Sequence, residues 1–196
     1  MDKEPTKPPQ IENQENETIE KAIQGDLDAF SDLYQKYILR IYNYIYYRVG
    51  STSEAEDLTA KVFFRAFDHI KSYRNLGLPF SAWLYRIAHN FVANWHRDNS
   101  RRQEVPLEEH EDMHAHVVPP ETALLQNQEI EALLRIIRTF PPDRQQLIIL
   151  KYVEDLPNNE IALIMRRSES AIKSLYHRTL VELRKALESS IPRSGE

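Results

Sequence analysis

Trp83, Arg86, Asn90, Asn94 and Arg97 recur at three- and four-residue steps within FSAWLYRIAHNFVANWHRDNSRR, residues 80–102. On a helix this spacing aligns a ring, two cations and two amides, with Ala93, along one flank. Such a flank suits unpaired DNA, because rings stack on bases, guanidiniums meet phosphates and amides read exposed edges. A bland reading competes with it: aromatics at helical spacing are usually core, which would bury Trp83 and leave the arginines solvated. The wheel leaves both open.

Lys173, Ser174, His177 and Arg178 form a second set, preceded by Ser168, Glu169 and Ser170. They lie off an apolar face made by Ile172, Leu175, Leu180 and Leu183, on a helix that Ser168 would cap. A short helix packed through Ile161, Ala162 and Met165 precedes it after a tight turn, the length pattern of a helix-turn-helix. The N-terminal part of the second helix would then face bases in a major groove. The alternative is an ordinary αα-hairpin with a solvated basic face. A third set, His110, His114 and His116 among carboxylates, has spacing that can bind zinc or nickel. No periodic scaffold holds these ligands, so a solvated segment is expected there, with no metal and no cofactor.

Periodicity supplies the elements that position these residues. Phe30, Leu33, Tyr34, Tyr37, Ile38, Ile41 and Ile45 mark the buried face of one helix, in a pattern that begins near Thr18. After GSTSEAED, Ser53 and Glu56 have capping-box spacing, and Ala55, Leu58, Val62, Phe63, Ala66 and Ile70 follow on one face. SYRNLGLPF is a loop, after which Ser81 is placed to cap the ring-rich helix. There Phe80, Leu84, Ile87, Phe91 and Trp95 share one side and form the expected core stripe. Three prolines and dense acid make residues 103–127 a linker. Helical patterning resumes near Gln128 with Ile130, Leu133, Leu134, Ile137 and Phe140, and three further helices complete a second small domain. Residues 1–17, polar and proline-bearing, are expected to be disordered, and 189–196 form a tail.

Composition narrows the function classes. The chain has 196 residues and no cysteine, which excludes disulfides and thiolate metal sites. No run is apolar enough to span a bilayer and the N-terminus lacks a secretory h-region, so a cytoplasmic chain without membrane insertion is expected. The net charge of -5 is unevenly spread. Residues 104–131 carry Glu104, Glu108, Glu109, Glu111, Asp112, Glu121, Glu129 and Glu131 with no Lys or Arg, whereas the two sets opposite DNA are locally basic. An enzyme is disfavoured, since no glycine-rich phosphate loop, nucleophile elbow or HExxH motif occurs.

The order of these parts resembles the bacterial RNA polymerase sigma factors of the extracytoplasmic-function group, in the sigma-70 family. GDLDAFSDLYQKY, EAEDLTAKVFFRAF and FSAWLYRIAHNFVANWHR match its first domain, AWLYRIAHN being the most specific stretch. FPPDRQQLIILKYVEDLPNNEIALIMRRSESAIKSLYHRTLVELRKAL matches its second. The resemblance implies an all-α chain of two small helical domains joined by a flexible acidic linker: a region-two bundle at 18–102 and a region-four helix-turn-helix domain at 128–188. It implies that Asp57, Leu58, Lys61 and Phe64 bind the clamp of core polymerase. Tyr73, Arg74, Phe80, Trp83, Arg86, Asn90 and Arg97 would take the −10 element, with a pocket for a flipped base between Tyr73 and Phe80. Ser168, Glu169, Ser170, Lys173, Ser174, His177 and Arg178 would read the −35 element as duplex. The implied partners are core RNA polymerase, promoter DNA and an anti-sigma protein, and the implied role is transcription initiation without enzymatic activity. A stand-alone helix-turn-helix regulator is the alternative; it leaves the ring-rich domain without a task.

Several positions depart from the family pattern, among them SESAIKS, which stands where the family often shows a Gly-Thr pair, so an unusual −35 sequence is expected. Ala60 and Lys61 replace its usual Gln and acid on the clamp-binding helix. Pro157 replaces its Ser cap, leaving Asn158 as the nearest substitute. Arg166 stands where Gly is common in the turn, so a remodelled turn is expected.

Overall fold

The computed structural model describes residues 9–74, 79–103 and 121–190. They form eight α-helices and one 3₁₀ turn, and no strand occurs among them. The first domain holds α1 (Pro9–Ile23), α2 (Leu27–Val49), α3 (Thr52–His69), the turn Ile70–Ser72 and α4 (Phe80–Gln103). The second holds α5 (Glu121–Arg138), α6 (Pro142–Tyr152), α7 (Asn158–Met165) and α8 (Glu169–Ser190).

Helix α1 overturns the expectation of disorder for residues 9–17. Proline is tolerated in a first helical turn, so Pro9 does not prevent the start. Tertiary contacts then hold a polar helix: Ile19 and Ala22 are buried, and Glu15 accepts hydrogen bonds from Lys36 Nζ at 2.6 Å and from the Tyr37 hydroxyl. Helix α5 likewise begins earlier than its apolar pattern, at Glu121 directly after the Pro119–Pro120 pair.

Helix ends follow local chemistry, with corrections at three expected caps and at one turn. Asp26 Oδ1 caps α2 by accepting from the amides of Asp28 and Ala29 at 3.0 and 3.1 Å. Gly50, with φ of 79°, ends α2 in the left-handed conformation, so Ser51 becomes the first residue able to cap α3. Its hydroxyl accepts from the Glu54 amide at 3.4 Å, and Ser53 lies inside the first turn. Ser81 also lies inside a first turn, that of α4, and is buried. At α7 Pro157 takes the capping position with no side-chain hydrogen bond, and Asn158 is the first helical residue. Ser168 caps α8 as expected, accepting from the Ala171 amide at 3.2 Å. The turn before it is not remodelled: Arg166 itself adopts φ 54° and ψ 46°.

Each domain buries apolar faces, but the two do not have separate cores. One cluster of buried side chains runs from Ile19 through Ile41, Tyr44, Leu84 and Tyr85 to Leu147, Leu150, Ile161 and Ile172. A smaller cluster of Leu134, Ile137 and Ile148 ties α5 to α6, with Leu180 and Leu183 of α8 against it. Full burial of such side chains contributes about 1.5–3 kcal/mol each, so this shared apolar surface is what sets the domains against one another.

Candidate nucleic-acid interface

Helix α4 is rotated from its expected stripe. Phe80 and Leu84 are buried, but Ile87, Phe91 and Trp95 are only partly so, and Ala82, Tyr85, Ala88 and Val92 are fully enclosed. The cause is a second wall: α4 packs on α2 and α3 of its own domain and also on α7 of the other. Tyr85 is accommodated there because its hydroxyl donates to Glu154 Oε2 at 2.5 Å, and burial beside that carboxylate raises the phenol well above its ordinary pKa.

The flank of α4 divides into two parts. Asn90, Ala93, Asn94 and Arg97 face solvent. Arg97 approaches Asp98 only at 3.7 Å with both side chains 60% exposed, a pair too solvated to hold it. Trp83 and Arg86 are half-buried. Arg86 Nη2 donates to the Leu163 carbonyl of α7 at 2.5 Å, while its Nε is buried without an acceptor among the described residues. Burial, and then the neighbouring Arg166 guanidinium, lower its pKa.

A ring cluster lies at the start of α4. Tyr73 is 5.3 Å from Phe80 and 5.0 Å from Trp83 between ring centroids, Phe80 is 5.4 Å from Trp83, and Tyr37 closes the group at 5.8 Å from Phe80. Tyr73 and Phe80 are buried and Arg74 is exposed. Burial, then the Glu15 carboxylate, push the Tyr73 phenol pKa up. Residues 75–78 of the expected pocket lie outside the described residues.

On α3, Phe64 is 74% exposed and Asp57 pairs with Lys61 one turn on, both about half-exposed. Leu58 is only 4% exposed and belongs to the core, so its side chain is not on this surface. Sequence reasoning missed the adjoining part of the surface. Leu39 is 66% exposed and Tyr34 is 42% exposed, and with Ile38, Tyr42, Thr59 and Ala60 they line a shallow apolar groove between α2 and α3. The available signal was Leu39, an apolar residue off its helix's stripe.

The α8 face is simpler. Ser168, Glu169, Ser170, Lys173, Ser174, His177 and Arg178 are all exposed, and Ile172, Leu175 and Thr179 point inward. Lys173 Nζ and Glu169 Oε1 pair at 2.7 Å, and Arg178 Nε donates to the Ser174 carbonyl at 3.3 Å. These are local, solvent-screened contacts that a nucleic acid can displace. Arg167 pairs with Asp143, and Arg144 with Glu182, bracing the unit from behind.

Arg48 was not expected to matter and is 1% exposed. Its Nη1 donates to the Tyr44 hydroxyl at 2.7 Å and lies 3.3 Å from His89 Nδ1, while Nε and Nη2 find no acceptor among the described residues. Burial, and then the Arg48 charge, lower the pKa of both His89 and His96. Among the described residues no group of three His, Asp or Glu could hold a metal; His110, His114 and His116 lie outside them. No helix there is long and apolar enough to cross a membrane.

Comparison with known proteins matches residues 33–102 to the Sigma-70 region 2 family and residues 130–183 to the Sigma-70, region 4 family. The chain is 32% identical to the ECF RNA polymerase sigma factor SigW of Bacillus subtilis over 177 residues, 86% of this chain and 94% of that protein. It is 37% identical to the ECF RNA polymerase sigma factor BldN of Streptomyces coelicolor over 87% of this chain, a match that spans only 65% of BldN. It is 30% identical to the RNA polymerase sigma-H factor of Pseudomonas aeruginosa over 90% of this chain and 95% of that protein. The fold is similar to that of CnrH, solved with the cytosolic domain of CnrY, at a TM-score of 0.67 and 15% identity over 89% of this chain and 97% of that one. It is also similar to RpoE of Bartonella quintana, solved with the anti-sigma factor NepR, at 0.63 and 18% over 84% and 100%.

Proposed function

The chain belongs to the sigma-70 family, within its extracytoplasmic-function group, and on that premise we propose how its two faces divide the work of starting transcription. It is a sigma factor that binds core RNA polymerase and directs it to promoters. The observation that carries the reading is the joint presence, in one chain, of a ring-and-amide flank on α4 and a fully exposed basic face on α8.

In this assignment α8 enters the major groove of the −35 element. Lys173 and Arg178 approach bases or phosphates, and Glu169 and the serines stand at the N-terminal end of the helix. Asn90, Asn94 and Arg97, with the half-buried Trp83 ring, take the −10 element as it opens, and the buried Tyr73 and Phe80 rings pack against Trp83 and hold it in place. Unstacking a base costs a few kcal/mol, which stacking and amide contacts offset. Phe64, the Asp57–Lys61 pair and the groove beside Leu39 form the contact with the polymerase clamp; exposed rings of this kind are typical anchors of protein interfaces. Leu58 supports that surface from beneath. Ala60 keeps the groove floor small, and Lys61 is neutralised by Asp57, so the contact depends more on apolar area than on charge.

The chain acts by binding, carries no catalytic step of its own, and works in the cytoplasm beside polymerase. An anti-sigma protein is a proposed partner, since RpoE of Bartonella quintana was solved with the anti-sigma factor NepR bound. Run-off transcription with core polymerase on a genomic promoter pool tests the central role. New discrete transcripts are expected; no increase over core polymerase alone on any template overturns it.

A further inference from the structure

We propose that Glu15 is a positioning residue for promoter opening: from helix α1 it fixes the ring group at the start of α4, and with it the face that Trp83 offers to an unpaired base. The proposal rests on the role given above to Trp83. Glu15 acts through other residues and not by touching DNA. Helix α1 carries Glu12, Glu15, Glu17 and Glu20 against Lys21 alone, a balance that repels phosphate.

The route from Glu15 to Trp83 is short and runs through buried groups. The Glu15 side chain is 11% exposed, and its oxygens are held by neighbouring residues of α2. Oε2 accepts from Lys36 Nζ at 2.6 Å and Oε1 accepts from the Tyr37 hydroxyl. Tyr37 is 3% exposed, and burial, then the Glu15 carboxylate, push its phenol pKa up, so the hydroxyl keeps the proton it donates. The Tyr37 ring lies 5.8 Å from Phe80, and Phe80 lies 5.4 Å from Trp83. Rings packed this closely shift together, because a dense interior leaves no slack between them.

Helix α1 reaches the same group by a second path. It packs on α2 and also on the turn Ile70–Ser72. That turn leads into Tyr73, whose amide donates to the Ile70 carbonyl at 3.0 Å and whose ring lies 5.0 Å from Trp83. The Glu15 carboxylate acts on this phenol too, adding to the rise in its pKa that burial causes. One carboxylate thus addresses two walls of the Trp83 site, Tyr37 from α2 and Tyr73 from the turn. Removing it leaves the buried Tyr37 hydroxyl without that acceptor, a penalty the ring relieves by turning toward water. Such a turn takes Tyr37 away from Phe80 and loosens the support of Trp83.

The chain has Trp83 and Trp95 as its tryptophans, so Trp95→Phe leaves Trp83 as the sole indole reporter. In that background Glu15→Ala is expected to shift Trp83 emission to the red and to raise its quenching by acrylamide in the free chain. With core polymerase, on a promoter found by the run-off assay, Glu15→Ala is expected to slow strand opening by at least about threefold, read by permanganate. Initial binding, read by filter retention, is expected to change by less than about twofold, because the α8 face is untouched. Glu15→Gln, whose amide oxygen still accepts from Tyr37, is expected to restore opening to within about twofold of the wild type. Glu17→Ala removes the same charge from a side chain 65% exposed on α1 and is expected to move neither readout. If Glu15→Ala loses helix by circular dichroism, Tyr37→Phe carries the test: it removes the donor, keeps the ring, and is expected to move both readouts the same way by less. Unchanged Trp83 quenching, equal losses in binding and opening, or the same effect from Glu17→Ala overturns the assignment. A wild-type holoenzyme that opens no promoter is instead a failure of the sigma-factor reading, which the quenching in the free chain does not depend on.

Discussion

Helices α4 and α8 carry the two candidate DNA faces, and the protein presents them differently. The α8 face rests on one buried row and is exposed, with Lys173 paired to Glu169 and Arg178 bonded to the Ser174 carbonyl, each one turn away. The α4 flank is hemmed in on two sides, and one of its two cations is bonded to the other domain. A residue type therefore does not determine availability: Arg97 and Arg86 share a flank and a periodicity, yet one is free to meet a phosphate and the other must first be released.

The largest effect separates the row beneath α8 from the face above it. Ile172 is fully buried, so Ile172→Ala is expected to cost about 2–5 kcal/mol of stability in a denaturant titration. Lys173→Ala, one residue on, is expected to leave stability within about 0.5 kcal/mol, as for exposed substitutions generally. It should weaken −35 duplex binding by about 1–3 kcal/mol if the lost contact is to a base edge, read by footprinting. Unchanged footprints would remove Lys173 from the recognition set.

The contrast between paired and opened DNA is sharpened by Asn90→Ala. This exposed amide on α4 is expected to slow open-complex formation more than initial promoter binding, measured by permanganate reactivity against filter binding. Equal losses in both would place Asn90 outside the melting step.

Smaller effects probe the supports. Left-handed backbone costs a non-glycine residue roughly 1–2 kcal/mol, partly offset by the greater unfolded-state freedom of glycine, so Arg166→Gly is expected to stabilise by up to about 1 kcal/mol. A rise of a few degrees in melting temperature would show it. The smallest is a pH response. His89 and His96 have lowered pKa values in the folded protein, so the unfolded chain binds more protons below about pH 6.5. Stability is expected to be fully present above that pH and to fall as pH drops toward the folded values. His89→Asn should flatten part of that slope.

Much of this was legible from spacing. The α2 and α3 stripes, the proline breaks, the Ser168 cap and the exposed α8 face follow from local periodicity and helix chemistry, and the helices lie where those patterns put them. Failures occurred where a distant partner intervened. Helix α1 is polar and gains order from Lys36 and Tyr37. The α4 stripe is displaced because α7 supplies a second wall and Glu154 satisfies Tyr85. Leu58 is core, as its own stripe placed it and against the clamp contact that the resemblance implied, whereas Tyr34 is exposed although its stripe placed it inside, because of how α2 and α3 cross.

The chain by itself determined an all-helical, two-part protein with a ring-rich helix in one part and a helix-turn-helix in the other, because those signals arise between residues within one or two turns of each other. Tertiary structure alone decided which part of the ring-rich helix faces water. Glu154 meets Arg40 across 114 positions and Tyr85 across 69, and Arg86 meets Leu163 across 77. Contacts at such separations leave no periodicity, since they depend on how whole helices pack and not on the local repeat of any one of them.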